Sequence, residues 1–171
     1  TYFEIARCLN FWQNSAIKNL SLQVEYNGGI TASYPINNAW LAGVDYFMHT
    51  KDFKNTLNLK ALYKNIKEKD SNVPMQFTAV WAMNDLFGVK GLKFDGFADF
   101  WWEDHLVDFR EDGTADKKST VFITEPQLWY NVGQHFGVDN LSLGTEIELS
   151  NNFGSTGGFK CRPCLGVKWD F

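Results

Sequence analysis

The sequence has 171 residues, of which 16 are basic and 20 are acidic, and its formal net charge is −4. This balance argues against a nucleic-acid binder, which would usually carry a basic patch. Apolar residues make up 44% of the chain, but no run of them approaches the ~18 residues of a membrane-spanning helix. The length suits one domain over residues 1–171.

Alternation of apolar and polar residues predicts nine strands in chain order. In the second of them, Leu20, Leu22 and Val24 alternate with polar side chains. The predicted strands are 1–12, 18–27, 36–50, 55–65, 74–85, 91–103, 120–133, 140–151 and 159–171. Short connections are expected to alternate with longer ones, and the charged stretch 104–119 is the longest of these.

The sixth predicted strand contains GFADFWWED, residues 96–104, and separates two kinds of side chain. One face is apolar. The other combines Asp95, Asp99 and Glu103 with Phe97 and Trp101. Outer-membrane barrels are apolar outside and polar inside, the reverse of soluble barrels.

We therefore expect an all-β fold, a closed antiparallel transmembrane β-barrel. Predicted strands of ten or more residues match the ~9–11 residues needed to cross a bilayer. Aromatic residues near strand ends suit interfacial belts: Tyr26, Trp40, Tyr46, Tyr63, Trp102 and Trp169. The terminal Phe171 is typical of outer-membrane barrels. The alternative is a soluble lipocalin-like or sandwich domain, which would bury the Leu/Phe/Trp face instead.

Closure predicts that further strands precede this chain. An open sheet edge is not tolerated in lipid, and bacterial barrels have an even number of strands. Nine is odd, so we expect one or three upstream strands, which makes the chain N-terminally incomplete.

The inner surface of the barrel is the candidate site. The residues predicted to line the lumen and contact a solute are Asp95, Phe97, Asp99, Trp101, Glu103, Glu125, Gln127, Asn131, Glu146, Glu148 and Arg162. Further charged residues predicted on the same face are Glu25, Lys60, Lys64, Lys160 and Lys168. Glu146 and Glu148 are expected to face basic residues of strand 159–171. These charges either brace a narrow barrel or select a solute.

Phe97 and Trp101 have two interpretations. Both would face the lumen, on either side of Asp99. Aromatic faces stack on nucleobases, and carboxylates accept hydrogen bonds from ribose hydroxyls. The pair would then bind a nucleoside weakly enough to release it. Alternatively, the two rings fill the lumen as packing residues.

Catalysis, a metal site and a cofactor are not expected. In an extended strand, Cys161 and Cys164 would lie about 10 Å apart and on opposite faces, too far for a disulfide. His49 and His135 are predicted at one end of the barrel and His105 in the 104–119 loop. No nucleophile, base and orienting group come together in the pattern.

The stretches GFADFWWEDHLVDF, TEPQLWYNV, LSLGTEIELSNNF and GVKWDF resemble the Tsx-like family of nucleoside-specific channel-forming outer-membrane proteins, and more closely a small branch of that family. The resemblance covers nearly all of the chain. It implies a twelve-stranded barrel, in agreement with three upstream strands, and diffusion of nucleosides through a narrow lumen. Beyond the shared GFADFWWED strand it assigns no individual contact.

These observations predict a passive, porin-like channel in the outer membrane of a Gram-negative bacterium, with nucleosides as the leading substrate. The expected partners are membrane lipid and the small-molecule solute. The alternative is a non-conducting structural or accessory barrel of a larger outer-membrane complex, with protein partners. The charged 104–119 loop is expected to be solvated; the alternatives are that it folds into the lumen or docks a partner.

Overall fold

The computed structural model describes residues 2–30, 35–67 and 69–170, which form one antiparallel all-β sheet. Its strands are β1 (Tyr2–Leu9), β2 (Leu20–Ile30), β3 (Pro35–His49), β4 (Asn55–Ile66), β5 (Met75–Asn84), β6 (Leu92–Val107), β7 (Asp116–Thr124), β8 (Gln127–Tyr130), β9 (Leu141–Asn151) and β10 (Phe159–Trp169). Single 3-10 turns lie at Leu86–Gly88 and Gly133–His135. In the described ranges, no helix is long and apolar enough to cross a membrane. The predicted strand start at residue 1 and the terminal Phe171 lie outside these ranges.

The strands follow one another in the sheet in the order β1-β2-β3-β4-β5-β6-β7-β9-β10, and every neighbouring pair is antiparallel. Strand β8 lies off this path and pairs with β6 and β9, so β7 and β8 together make one pass. Within the described residues, β1 pairs only with β2 and β10 only with β9. The antiparallel all-β fold is confirmed, and the strand count is ten instead of nine.

The predicted single strand 120–133 is wrong because Pro126 interrupts it. Proline has no N–H to donate to a ladder, so β7 ends before it and β8 begins after it. Backbone hydrogen bonds to β6 and β9 hold the kinked segment around Pro126 in the sheet. The Glu125 N–H donates to the Phe97 carbonyl oxygen at 3.0 Å, and the Ile147 N–H donates to the Pro126 carbonyl oxygen at 3.1 Å.

Gly96 makes room for this kink. Its φ of 150° lies in a region that side-chain-bearing residues rarely adopt. A Cβ at Gly96 would overlap the Glu125 carbonyl oxygen and lie 2.9 Å from the Trp81 ring. The glycine of the GFADFWWED segment therefore allows the kinked backbone to approach β6.

Half of the predicted 104–119 loop is strand instead. Strand β6 continues to Val107 and strand β7 begins at Asp116, so only residues 108–115 form the connection. An irregularity in the register between Trp102 and His105 interrupts the alternation, and the sequence pattern therefore missed this part of the hairpin.

The predicted alternation of short and long connections is not present. The connections 10–19 and 131–140 at one end of the sheet are at least as long as 67–74 and 108–115 at the other. Loop asymmetry therefore gives no support to a membrane barrel.

The register sorts the side chains onto two faces. On the inner face, one row crosses eight strands: Ser21, Asp45, Lys60, Thr78, Asp99, Ile123, Ser150 and Lys160. The adjacent row on the outer face is uncharged: Leu20, Tyr46, Leu59, Ala79, Ala98, Thr124, Leu149 and Cys161. The polar residues are therefore on the opposite face from most of the large apolar ones.

The sheet curls towards its inner face. Side chains from strands that are not direct neighbours meet there. The Cys8 sulfur in β1 lies 3.6 Å from an Asp45 oxygen in β3, and Lys60 Nζ in β4 lies 3.4 Å from a Glu25 oxygen in β2. A twisted sheet brings such next-nearest strands together on its concave side.

Replacement of Gly96 by alanine tests the close approach. We expect Gly96→Ala to lower the free energy of unfolding by roughly 1–3 kcal/mol, because the new methyl group overpacks the kink. Urea titration in detergent micelles, followed by tryptophan fluorescence, measures the change. Gly88→Ala is the matched control, because Gly88 also has a positive φ but no atom near the added Cβ. Equal losses in the two variants would contradict the role of the close approach.

Candidate functional site

The inner face of the sheet buries polar groups where a soluble fold would bury apolar ones. The buried polar residues include Gln23, Glu25, Asp45, Gln76, Thr78, His105, Ser142, Ser150 and Asn152. Gln23 is 2% exposed and Glu25 is 3% exposed, whereas Val24 between them is 41% exposed. Buried polar groups are costly unless they are hydrogen-bonded. The contacts of this face therefore determine what it can do.

Glu25 is at the centre of the first group of contacts. It accepts hydrogen bonds from the side-chain amides of Gln23 at 3.0 Å and Asn27 at 3.1 Å. Lys60 adds an ion pair at 3.4 Å, and its side chain is 13% exposed. Because every partner is on the inner face, the carboxylate is compensated within the sheet.

A second group lies nearby on β4, β5 and β6. Thr78 donates its hydroxyl to Asp99, and Gln76 donates its amide to the same Asp99 oxygen at 3.3 Å. The Gln76 side-chain oxygen accepts from Lys64 Nζ at 2.6 Å. Lys64 also lies over the Trp101 ring, 3.8 Å from its centroid, a cation–π contact. Asp99 is therefore held by neutral donors, and the lysine is shared with an aromatic ring.

Trp101 and Phe97 lie against an apolar group inside the sheet. Trp101 packs with Val121 and Ile123, and Phe97 and Ile66 pack against these three. We call these five residues the inner apolar cluster. Trp101 is only 8% exposed, and Lys64 covers its ring. In this arrangement Trp101 offers little ring surface to a solute, and its contacts are those of a packing residue.

The β9–β10 side of the inner face is rich in carboxylates. Glu148 pairs with Arg162 in the register, and the two side chains form an ion pair. Ser150 donates to Glu148 at 3.0 Å. Glu125 and Glu146 are within hydrogen-bonding reach of each other. The predicted pairing of Glu148 with a basic residue is confirmed, whereas Glu146 pairs with Cys164 in the register.

Asp95 and Gln127 are cross-strand neighbours near the opposite end of β6. Asp95 forms an ion pair with Lys93 at 2.7 Å, and its other carboxylate oxygen is buried without a hydrogen-bond partner among the described residues. Gln127 accepts from the Trp129 ring nitrogen at 2.9 Å. Both residues are on the inner face, where the pattern placed them.

Three residues lie near the ends of strands. Glu103 accepts from the Trp101 ring nitrogen at 2.9 Å and lies 3.6 Å from Lys69. Asn131 follows the end of β8, and its amide bonds within the 131–140 connection. The prediction that His105 lies in a loop is wrong, because it is buried in β6.

Sequence reasoning missed part of this face. Gln23, Asp45, Gln76 and Thr78 are buried and bonded there but were not among the predicted lumen residues. Asp45 accepts both contacts from the Asn58 amide, at 2.9 Å each. A sequence signal for these residues exists: when the strands are aligned in register, they occupy positions on the same face of the sheet as the acidic residues of β6.

The three cysteines form no disulfide among the described residues. Cys8, Cys161 and Cys164 are free thiols. Cys161 pairs with Leu149 on the outer face and Cys164 with Glu146 on the inner face, as predicted for an extended segment. In the part of the chain that the structure describes, no three His, Cys, Asp or Glu side chains are arranged to hold a metal ion.

Over its whole length, residues 1–171, the chain matches the model of a family described as a domain of unknown function, DUF5020. The chain belongs to this family. No curated protein matches the DUF5020 chain, and no solved structure matches it either. The Tsx-like resemblance of its aromatic strands therefore stays a prediction.

Neutralisation of Glu25 tests how tightly the inner face is packed. We expect Glu25→Gln to lower the free energy of unfolding by roughly 1–3 kcal/mol, because Lys60 is left as a nearly buried cation without its partner. Urea titration in micelles measures the loss.

The matched control is Asp85→Asn, which removes the exposed ion pair between Asp85 and Lys54 at 2.6 Å. In the folded protein, the hydrogen bond from Lys54 holds the pKa of the Asp85 carboxyl below its usual range. Exposed pairs contribute little to stability, so the control should change less than Glu25→Gln. Equal effects would indicate that Glu25 is as well hydrated as Asp85.

Proposed function

We propose that this DUF5020 chain forms most of the wall of an outer-membrane β-barrel in a Gram-negative bacterium, through which small polar solutes diffuse. The observation that carries the proposal is the inverted distribution of side chains. The inner face buries charged and amide groups, whereas the outer face exposes large apolar groups. A chain dissolved in water would leave that apolar surface uncovered, and a lipid bilayer would cover it.

The outer face has the composition of a lipid-facing surface. Along β10, the outer positions Phe159, Cys161, Pro163, Leu165, Val167 and Trp169 carry no charge. Between Trp40 and Tyr46 in β3, the outer positions are Ala42 and Val44. Leu165 is 89% exposed and Val167 is 70% exposed.

Two aromatic bands border this surface. One contains Tyr26 and Trp40, whose ring centroids lie 4.8 Å apart, and Phe100 and Trp102, whose centroids lie 4.7 Å apart. The opposite band contains Trp81 and Phe94, at 5.8 Å. Phe94 and Trp102 are eight positions apart in β6, about 26 Å of strand. At the ~35–45° tilt of membrane strands this distance spans about 19–22 Å along the membrane normal, somewhat less than the ~25 Å apolar band of membrane barrels.

Closure of the barrel requires strands in addition to those described. Eight antiparallel steps lead from β1 to β10, so the two edge strands run in the same direction. A fully antiparallel barrel therefore needs an odd number of strands between them. Three such strands would give the twelve that the Tsx-like resemblance implies.

The proposed solutes are small and polar, and nucleosides are the leading class. Phe97 is partly buried on the inner face, and Asp95 and Asp99 lie two residues away on either side of it. A ring between carboxylates suits a solute with a flat base and hydroxyl groups. The inner apolar cluster narrows the path at the next position, Trp101, so we propose a small conductance.

The second candidate is a non-conducting structural or accessory barrel of a larger outer-membrane complex. One observation favours it: the inner apolar cluster joins β4, β6 and β7 across the inner face. Such packing could close the lumen instead of narrowing it. The conductance measurement below separates the two functions.

An arginine on the outer face tests the membrane environment. Val44 lies between the aromatic bands and is 38% exposed. We expect Val44→Arg to lower the free energy of unfolding in phospholipid vesicles by about 2–4 kcal/mol, because the cation would face lipid. Urea titration in vesicles measures the loss.

The control is Asp112→Arg in the exposed 108–115 connection, which should fold as the native sequence does. If Val44→Arg costs no more than this control, lipid does not cover Val44. A native protein that stays monomeric in water without detergent would also contradict the membrane proposal.

Single-channel conductance of the full-length protein in a planar bilayer tests transport. We expect a small conductance that adenosine or thymidine blocks in a saturable way. Trp101→Ala should raise the conductance, because it removes the largest side chain of the inner apolar cluster. Phe97→Ala should weaken the nucleoside block more than Trp101→Ala does, because Lys64 already covers the Trp101 ring.

Protein that is folded and inserted yet does not conduct, and does not conduct after Trp101→Ala, would favour the non-conducting barrel. Folding is checked independently by resistance to proteolysis and by β-sheet circular dichroism. A conductance that nucleosides do not block would retain the channel and reject the substrate class.

A further inference from the structure

The buried imidazole of His105 lies between two carbonyl oxygens. Its Nδ1 is 2.9 Å from the backbone oxygen of Glu103, and its Nε2 is 2.8 Å from the backbone oxygen of Asn152. His105 is 8% exposed and sits in β6, whereas Asn152 begins the connection between β9 and β10. One side chain therefore ties two distant parts of the chain together.

We propose that His105 is a pH-dependent latch, which in its protonated form holds the 152–158 connection against β6. A neutral imidazole has one N–H donor and one acceptor nitrogen, but an imidazolium has two donors. Carbonyl oxygens only accept hydrogen bonds, so both contacts are satisfied only when the ring is charged. Loss of the proton leaves one ring nitrogen facing an oxygen with no hydrogen between them.

The latched connection contacts the inner apolar cluster through Trp101. Phe153 follows Asn152, and its ring meets the Trp101 ring edge-on, with centroids 6.3 Å apart. The Asn152 side chain donates to the Thr120 carbonyl oxygen at 3.2 Å and accepts from the Gly158 N–H at 2.9 Å. Movement of Asn152 would therefore shift Phe153 relative to Trp101.

A second attachment holds the tip of the same connection. The Asp108 N–H donates to the Ser155 carbonyl oxygen at 3.0 Å, and the Asp108 carboxylate accepts from the Gly157 N–H at 3.0 Å. These bonds do not involve His105. Release of the His105 latch should therefore loosen the Asn152–Phe153 end more than the tip.

Several charged groups surround the latch. Those on β6, β7 and the 67–74 and 108–115 connections are Glu103, Asp104, Asp108, Lys117, Lys118, Lys69 and Asp70. The 152–158 connection carries no titratable side chain. Histidine is the side chain whose ordinary titration range lies near neutral pH, and the His105→Gln variant separates its response from that of any other group. His105 also lines a polar cleft of about 450 Å³, which gives water access to the ring.

The direction of the effect follows from the donor count. At low pH the charged ring makes both bonds and the connection is latched. As the pH rises, one bond is lost, and the unlatched population should rise about tenfold, because hydrogen bonds to charged groups are among the stronger ones. The consequence for conductance rests on the proposed channel function, but the latch itself does not.

A nitroxide spin label on the connection measures the latch directly. The label is attached at Phe153→Cys, next to the latched Asn152, in a chain whose three native cysteines are replaced by serine, and its mobility is recorded in micelles at about pH 5.5 and 8.5. We expect a mobile component that grows with pH and disappears when the pH is lowered again. His105→Gln should show the mobile component at both pH values, because a glutamine side chain has only one donor group. A label at Gln13→Cys, at the opposite end of the sheet, is the control and should not respond.

Two results would overturn the latch. One is an equal mobility of the Phe153 label at both pH values in the protein that retains His105, a result that does not require a histidine variant to fold. The other is a full pH response that persists in His105→Gln.

Conductance at the same two pH values separates the latch from the channel. If both proposals hold, conductance rises with pH and the rise is absent in His105→Gln. A pH-dependent label in a protein that does not conduct would retain the latch and reject the channel. A protein that conducts but whose label mobility does not change with pH would retain the channel and reject the latch.

Discussion

The antiparallel ladder that joins β2 to β10 is the constraint on which the other features depend. Its period of two sends each residue to the face opposite its neighbours. A slip of one residue in β6 would move Asp95, Asp99 and Glu103 to the outer face and Phe100 and Trp102 to the inner one. The acids and rings of GFADFWWED are thus compatible with a single strand only in this register.

The inner face is not a uniform polar lining. Glu25 with Lys60, and Asp99 with Thr78 and Gln76, form compensated groups, and the inner apolar cluster lies beside the second. Compensated charges hold side chains in place, whereas wet and mobile charges would leave a wider path. If the sheet closes into the proposed barrel, the packing of Trp101 therefore weighs against a wide pore and suits either the proposed narrow channel or a closed barrel.

The segments that interrupt the regular strand pairing lie around the inner apolar cluster. Pro126 splits one pass into β7 and β8, and Gly96 accepts the resulting kink. The irregular register after Trp102 turns His105 towards the connection that carries Phe153. Breaks of this kind redirect side chains that an unbroken ladder would place elsewhere.

Alternation by itself determined the all-β class, the nine passes and the face on which Asp95, Phe97, Asp99 and Trp101 lie, because side-chain direction in a strand depends only on parity. It could not determine the kink at Pro126, the strand content of 104–119 or the position of His105, which depend on pairing between distant segments. Nor could it decide how buried Trp101 is. That burial requires Lys64 from β4 and Val121 and Ile123 from β7, and only the curled sheet brings all three to the same ring.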